Sequence, residues 1–409
     1  MKRINVDKLK PGMILGKDVV NQEGRRLLSK DLKLTPKEIR ILKMWGIPEI
    51  IILQDPAAKT PANSEKTKKD DEKARQFLDS WFNKNDLKNP VIEAVYDICL
   101  ERYSQGQFEP FSAFQEEQNP VDSESDNIKS PEEIQTLLKK DLKLPALPTI
   151  FTEINEASQN PKCSGKDIAN IVSKDPSLSA TLLKIVNSAY YNLPEKVESL
   201  HYAAMALGTQ QVSSLALGIT VVNYFKGICN QKINMQAFWR HSVASGIAAK
   251  ALASQIKGIN SERVFVSSLL HDIGWLIFLN FCPAECNQVF YKSRILGLNL
   301  YQVEPRYFGM THARFGSLLA KSWNFSENIS SLIDHHHDNF KTLPSKEMAI
   351  VYLANWLSDV IGIGFAEEKQ MPKLSVNAWK ALDLPESVLV SIVKQIDRQV
   401  AETVQFFNE

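Results

Sequence analysis

Histidine is unevenly spread along this chain. Of seven histidines, six fall between His241 and His337. Phe238-Trp-Arg-His-Ser242 carries the first of these, and Leu269-Leu-His-Asp-Ile-Gly274 carries an adjacent His-Asp pair. Thr311-His-Ala-Arg-Phe-Gly316 carries the next, and Ile333-Asp-His-His-His-Asp338 carries three. Neutral imidazoles and carboxylates suit divalent iron, manganese or zinc, and metal-assisted hydrolysis is chemistry that such groups can support. Taken singly, each histidine reads as a satisfied core residue or a surface residue; their order along the chain directs attention to a shared site. Adjacent residues on a helix point about 100° apart. His271 and Asp272 can therefore both ligate only if the ions lie between their directions. No phosphate-binding GxxxxGK[ST] loop, GxSxG elbow or GxGxxG turn is present.

Helices must position these residues. From Leu144 onward the pattern is helical almost throughout, with little strand-like alternation and no repeat of fixed period. Asp175-Pro176 predicts an N-cap followed by proline in the first turn, with Leu178, Leu182, Leu183 and Ile185 on a buried face. Asn187 and Ser188 fall at that helix's end as local caps, and Gly208 ends the next helix. Phe315, Leu318, Leu319 and Ser322 follow helical spacing, so ordinary core packing explains Phe315, Trp323 and Phe325 better than an aromatic box. Ser326 is expected to cap a further helix.

Upstream, residues 1–53 alternate short apolar pieces with turns at Lys10-Pro11-Gly12 and Glu23-Gly24. Thr35-Pro36 predicts a helix start, and Pro48-Glu-Ile-Ile-Ile-Leu53 a buried strand. This predicts a small α+β module. Residues 54–71 read as a linker, 72–104 as a helical segment, 105–130 as a second linker, and 131–409 as a helical domain with a C-terminal extension. Ser130-Pro131-Glu132-Glu133 is a helix-start signature.

The order Leu144-Pro-Ala-Leu-Pro148, Asp175-Pro-Ser-Leu178, Asn187-Ser-Ala-Tyr-Tyr191, Ser199 to Gly208 and then the histidine series resembles an HDOD domain over roughly 144–359. HDOD domains are helical, usually non-catalytic relatives of HD phosphohydrolases. The N-terminal module resembles the one that precedes bacterial HD-GYP domains. By position, the resemblance makes His241, His271, Asp272, His312, His336 and His337 the ligand-bearing places, with a divalent Fe, Mn or Zn as cofactor. His201 and His335 fall outside the pattern and are assigned structural or surface roles.

Three departures bear on catalysis. Asn355, in Tyr352-Leu-Ala-Asn-Trp-Leu357, stands where an HD enzyme offers a late Asp, and Asp359 lies one turn further on. Trp275 replaces the lysine that commonly follows His-Asp-Ile-Gly, removing a phosphate-contacting cation. No Gly-Tyr-Pro follows His337, which argues against a working cyclic-di-GMP phosphodiesterase. Two readings of the histidines stay open: a site that retains its metal, and a structural remnant.

Composition bounds the rest. Lys+Arg 48 against Asp+Glu 47 leaves a formal net charge of +1, so nothing points to nucleic acid or an anionic membrane. The five cysteines lack framework spacing and suit a reducing compartment. The polar start MKRINVDKLKPGM has no secretory h-region, and no apolar stretch reads as a membrane span. The expectation is a mainly α protein, with a helical HDOD/HD-like bundle and a small N-terminal α+β module. The resemblance implies a cytoplasmic bacterial signalling output or adaptor that binds a protein partner or small nucleotide ligand. The alternative is a metal-dependent phosphohydrolase or cyclic-nucleotide phosphodiesterase.

Overall fold

The computed structural model describes residues 2–5, 9, 13–17, 19–20, 26–28, 30, 32, 34–35, 38, 42, 49–52, 62–108, 130–134, 147–188, 191, 193, 195–225, 234–364 and 370–403. Among these lie four short strands and 17 helices, so the chain is mainly α, as its sequence pattern predicts. It divides into two compact units, Met1–Glu72 and Lys73–Glu409. Cys229, Ala189 and Tyr190 lie outside the described residues, as do Leu144–Ala146 and most of the expected second linker and of the helix following Thr35.

In the first unit, β1 (Lys2–Asn5) pairs antiparallel with the fourth strand, Glu49–Ile52, which falls where the Ile-rich run predicted one. The short strands β2 (Val19–Val20) and β3 (Arg26–Leu28) pair antiparallel. Leu9, Leu15, Val19, Leu28, Leu34, Leu42 and Ile50 form this unit's own core.

Helix α1 spans Ala62–Trp81. Residues 62–71, read from the sequence as linker, are thus helical. The Pro residues that suggested a linker lie before residue 62, and from there to Trp81 the chain has neither Pro nor Gly, while Ala, Glu and Lys favour helix. Helix α2 (Pro90–Ser104) starts at Asn89, whose side chain accepts from Val91 N, with Pro90 in the first turn. Its Val91, Val95, Ile98 and Cys99 are buried with Leu78, Trp81 and Phe82, as their spacing predicts.

The remaining helices follow local signals. They are α3 (Thr149–Gln159), α4 (Gly165–Val172), α5 (Pro176–Val186), α6 (Leu200–Leu207) and α7 (Thr209–Phe225). Next come α8 (Met235–Ser254), α9 (Ser261–Leu269), α10 (Ile273–Phe281), α11 (Pro283–Leu296) and α12 (Leu300–Phe308). Last are α13 (His312–Ser322), α14 (Glu327–Asp334), α15 (Lys346–Val360), α16 (Val376–Leu382) and α17 (Val388–Thr403). Ser164, Asp175, Ser199, Asn234, Asn260, Thr311, Ser326 and Ser345 each accept a backbone N–H at a helix start. Ser130 and Glu133 form the expected reciprocal cap. Asn187 ends α5 and ties the following loop down, donating to Leu183 O and Val197 O and accepting from Val197 N.

Helix α8 packs on α9, α15 and α17, while α13 packs on α10 and α14. Against the expectation that no apolar stretch reads as a membrane span, the run Ser261–Phe281 is long and apolar enough to cross one, but its most apolar part is 89% buried inside the fold. It is also two helices, broken at residues 270–272.

Candidate metal centre

The structure brings together all six residues of the sequence-predicted set. His241 lies inside α8. The others sit at helix ends. His271 and Asp272 occupy the break between α9 and α10, His312 opens α13, and His336 and His337 follow the end of α14. The His-Asp pair is therefore not on a continuous helix, and the angular restriction expected for it does not apply. Leu270 (φ −107, ψ 6) and Asp272 (φ −94, ψ 8) adopt bridge-region backbone, which turns both side chains inward together.

Asp272 sits at the middle of the cluster. Its Oδ1 lies 3.1 Å from His312 Nε2 and 3.6 Å from His336 Nε2. Its Oδ2 lies 3.1 Å from His271 Nε2 and 3.5 Å from His241 Nε2. One side offers Asp272, His312, His336 and His337 with donor atoms within 4.8 Å of one another, and the other offers His241, His271 and Asp272. Every member is buried except His337, which is half-buried and carries the Tyr301 ring stacked at 4.5 Å.

The outer ring nitrogens fix which way each imidazole works. His241 Nδ1 meets Ile363 O at 2.7 Å, His271 Nδ1 meets Ser268 O at 2.6 Å, and His336 Nδ1 meets Ile333 O at 2.6 Å. A carbonyl oxygen only accepts, so each Nδ1 is the donor and each neutral ring turns a bare Nε2 lone pair inward. His312 Nδ1 lies 2.7 and 2.8 Å from the two carboxylate oxygens of Glu304, which also accept its backbone N–H at 2.7 Å. This is the outer support that metal-ligating histidines carry.

The inward atoms are crowded. His241 Nε2 and His271 Nε2 are 3.2 Å apart, His312 Nε2 and His336 Nε2 are 3.2 Å apart, and His337 Nε2 is 3.1 Å from His312 Nε2. Among the described residues, the buried Asp272 Oδ2 receives no hydrogen bond. Facing lone pairs beside an unsatisfied buried carboxylate oxygen repel unless a cation lies between them. The donor chemistry and the orphaned oxygen fit a divalent metal.

Protonation follows the same geometry. Burial lowers His241 to about 4, with His271 adding to the effect, and burial likewise lowers His336 to about 4. Burial, with His336 and His312, holds His337 well below its ordinary value. Burial also disfavours charge on His312, but Glu304 and Asp272 outweigh it and raise this histidine to about 10. Burial opposes ionisation of Asp272, yet the surrounding His271, His312 and His336 hold its carboxyl well below the usual range. Without metal, a proton on His312 supplies the positive charge.

The departures are visible in place. Trp275 is fully buried, 5.6 Å from the His312 ring and stacked on Phe290, so an apolar wall stands where a lysine was expected. Asn355 is buried on α15, where its neutral amide acts on His241 in place of a carboxylate. Asp359 does not replace it, because its Oδ1 lies 3.4 Å from His241 Nδ1, the outward nitrogen. His335 is half-buried and pairs with Asp338 at 2.8 Å, outside the cluster, and His201 is exposed. Phe315, Trp323 and Phe325 are core residues.

Sequence reasoning missed Glu304. It sits among Leu300, Val303 and Phe308 on the buried face of α12. A lone acid on an apolar stripe was the available signal, since a buried carboxylate requires a partner.

Residues 144–339 match the HDOD domain family. An uncharacterized Treponema pallidum (strain Nichols) protein is 25% identical over 199 residues, covering 48% of this chain but 38% of the relative. Among solved structures, an HDOD domain protein of unknown function from Geobacter sulfurreducens has a TM-score of 0.56 and 25% identity, over 68% of this chain and 97% of its own. A candidate phosphohydrolase from Shewanella amazonensis SB2B has a TM-score of 0.54 and 22% identity, over 69% of this chain and 100% of its own. A candidate signal transduction protein from Marinobacter aquaeolei VT8 has a TM-score of 0.55 and 19% identity, over 66% of this chain and 61% of its own. The last two likenesses concern the fold alone.

Proposed function

We propose, from the match of residues 144–339 to the HDOD domain family, that the protein is a bacterial intracellular signalling output or adaptor. In this reading the domain holds a divalent Fe, Mn or Zn without turning over a substrate, and passes on its state by binding a protein partner or a small nucleotide ligand. The observation that carries the metal part is the Asp272 carboxylate, with an oxygen facing imidazoles on each side. His241, His271, Asp272, His312, His336 and His337 would hold the metal, with Glu304 orienting His312. A metal there would supply Lewis acidity toward a bound water or phosphate oxygen.

Two features favour binding over catalysis. The fully buried Trp275 brings no positive charge to the site, and the amide of Asn355 brings no carboxylate to His241. The alternative, a metal-dependent phosphohydrolase or cyclic-nucleotide phosphodiesterase, draws on the donor set itself, which is complete enough to hold metal on both sides of Asp272.

Elemental analysis of the full chain, purified without chelator or affinity tag, separates these readings when combined with a nucleotide turnover panel. Metal that is retained by the wild type, lost in His271→Ala, and unaccompanied by turnover supports the binding role. Turnover that disappears in the double variant His271→Ala/Asp272→Ala establishes the enzyme. Absence of metal after anaerobic reconstitution removes both metal-dependent readings.

A further inference from the structure

We propose that the cleft between α2 and α17 binds a small organic anion, with an oxyanion headgroup on Arg102, Lys394 and Arg398 and an apolar body on the floor beneath them. None of the residues lining this cleft belongs to the histidine cluster, and the site needs neither metal nor turnover.

Helix spacing builds the cleft. Helix α2 packs on α17. On α17, Val390, Lys394 and Arg398 recur at intervals of one turn and so share a face. Ile98 and Val393 are buried in the floor, while Val390 stays 43% exposed. The cavity volume is about 400 Å³, inside the range of small-molecule sites. The exposed valine leaves apolar surface there for a ligand to cover.

Charge selects the sign of the ligand. Arg102, Lys394 and Arg398 line the cleft against the acids Glu101 and Asp397. Both acids are already engaged. Asp397 accepts from Arg102 Nη1 on both carboxylate oxygens, and Glu101 Oε1 accepts from Gln105 Nε2 at 3.0 Å. Lys394 and Arg398 are exposed, and among the described residues neither has an ion pair or hydrogen bond. Like charges one turn apart repel, and an anion between them relieves that repulsion.

Arg102 adds a buried donor. Its side chain is 5% exposed. Its Nε donates to Ile361 O at 3.2 Å and its Nη2 to Gln107 O at 3.3 Å. Each Nη carries two hydrogens, so one on Nη2 has no acceptor among the described residues. A carboxylate or phosphate oxygen in the cleft supplies that acceptor in a charge-assisted bond. Exposed cations alone hold an ion weakly; the buried N–H and the apolar floor turn them into a site. Arg102 also braces Ile361, two residues before the carbonyl that accepts from His241 Nδ1, so an occupant of the cleft touches the side chain that holds this turn.

The test is a ligand-observed NMR titration of the chelator-treated full chain with phenyl phosphate. Chelation removes any phosphate held by a metal at the histidine cluster. Phenyl phosphate should bind saturably. Inorganic phosphate lacks the body and phenol lacks the charge, and each should bind at least about tenfold more weakly. Lys394→Gln/Arg398→Gln should weaken phenyl phosphate by about tenfold or more; both residues are exposed, so the fold tolerates the change. Lys162→Gln/Lys166→Gln, beside the start of α4, removes the same charge elsewhere and should leave binding within about twofold. Benzoate in a parallel titration separates a carboxylate headgroup from a phosphate one, and saturable binding of either supports the site. No saturable binding of either anion, or equal binding by wild type and the Lys394→Gln/Arg398→Gln chain, would overturn the proposal. Inorganic phosphate binding as tightly as phenyl phosphate would overturn the part assigned to the apolar floor.

Discussion

A Cβ placed on Gly274 would stand 2.1 Å from the carbonyl oxygen of His312 and 3.0 Å from Gly316 N. The glycine of His-Asp-Ile-Gly therefore lets the start of α10 touch the start of α13, which sets Asp272 against His312. Gly274→Ala should destabilise the chain by about 3 kcal/mol or more, because the opposing atoms are backbone and cannot swing away. It should also cost metal. Gly297→Ala provides the contrast: its φ of 62 carries strain, but nothing lies within 4 Å of the added carbon. That variant should lose about 1 kcal/mol and keep its metal. Urea unfolding and elemental analysis read both effects, and a Gly274→Ala chain with wild-type metal content would contradict the packing argument.

Arg102 should matter far more than a surface cation. Its side chain is 5% exposed, pairs with Asp397, and donates to Ile361 O and Gln107 O. Arg102→Met leaves two carbonyls without this donor and should cost about 3 kcal/mol. Lys174 pairs with Glu153, but these side chains are 60% and 36% exposed, so Lys174→Met should change stability by no more than about 0.5 kcal/mol. Comparable urea midpoints for the two variants would refute the claim that the buried Arg102 contributes more than a surface cation.

Thiol labelling should be selective. Burial raises Cys99 above its ordinary value, and Cys286 well above it. Cys282 is buried as well, whereas Cys163 is only half-buried. Since the thiolate is the reactive form, iodoacetamide at neutral pH should spare Cys99, Cys282 and Cys286 until urea is added. Peptide mapping by mass spectrometry checks this, and rapid native labelling of Cys286 would show that α11 opens.

The chelator-treated chain should be most stable near pH 6.5. His241 and His336, lowered by burial to about 4, stay neutral in the fold, while their unfolded forms take up protons below about 6.5. The unfolded state then binds more protons, so stability falls as pH drops from 6.5 toward 4. His312 acts in the opposite direction. Raised to about 10 by Glu304 and Asp272 against the effect of burial, it contributes fully below about 6.5, and that contribution is lost as pH rises toward 10. Melting temperature against pH should show a maximum, and Glu304→Gln should flatten its alkaline limb. A melting temperature that climbs steadily to pH 10 would count against the His312–Glu304 pair.

Much of the site was legible before folding, and specific parts were not. The resemblance carried by the His241 to His337 series named the donors that, among the described residues, converge on Asp272, because the family pattern is written in side-chain type and order. Some helix starts were equally legible, since Asp175-Pro176 and Ser130-Pro131-Glu132-Glu133 act on their own backbone within a few residues. The break at residues 270–272 was not, because no glycine or proline stop occurs before Gly274 and the His-Asp pair is flanked by apolar residues on both sides. Glu304 was missed because its partner His312 opens the next helix, beyond the turn that ends α12, and only that contact explains a buried carboxylate there.

By itself, then, the sequence determined that the chain is mainly helical, where several of its helices begin, and which residue types could ligate a metal. Those outcomes rest on local propensity, capping and apolar spacing. Tertiary structure decided which ring nitrogen of each histidine faces inward, and it divided the donors into two sides of Asp272. Those outcomes depend on groups distant in the chain, such as Ile363, whose carbonyl is 122 residues from His241. A backbone carbonyl has the same chemistry at every residue, so only its position in the fold makes it the group that aims His241.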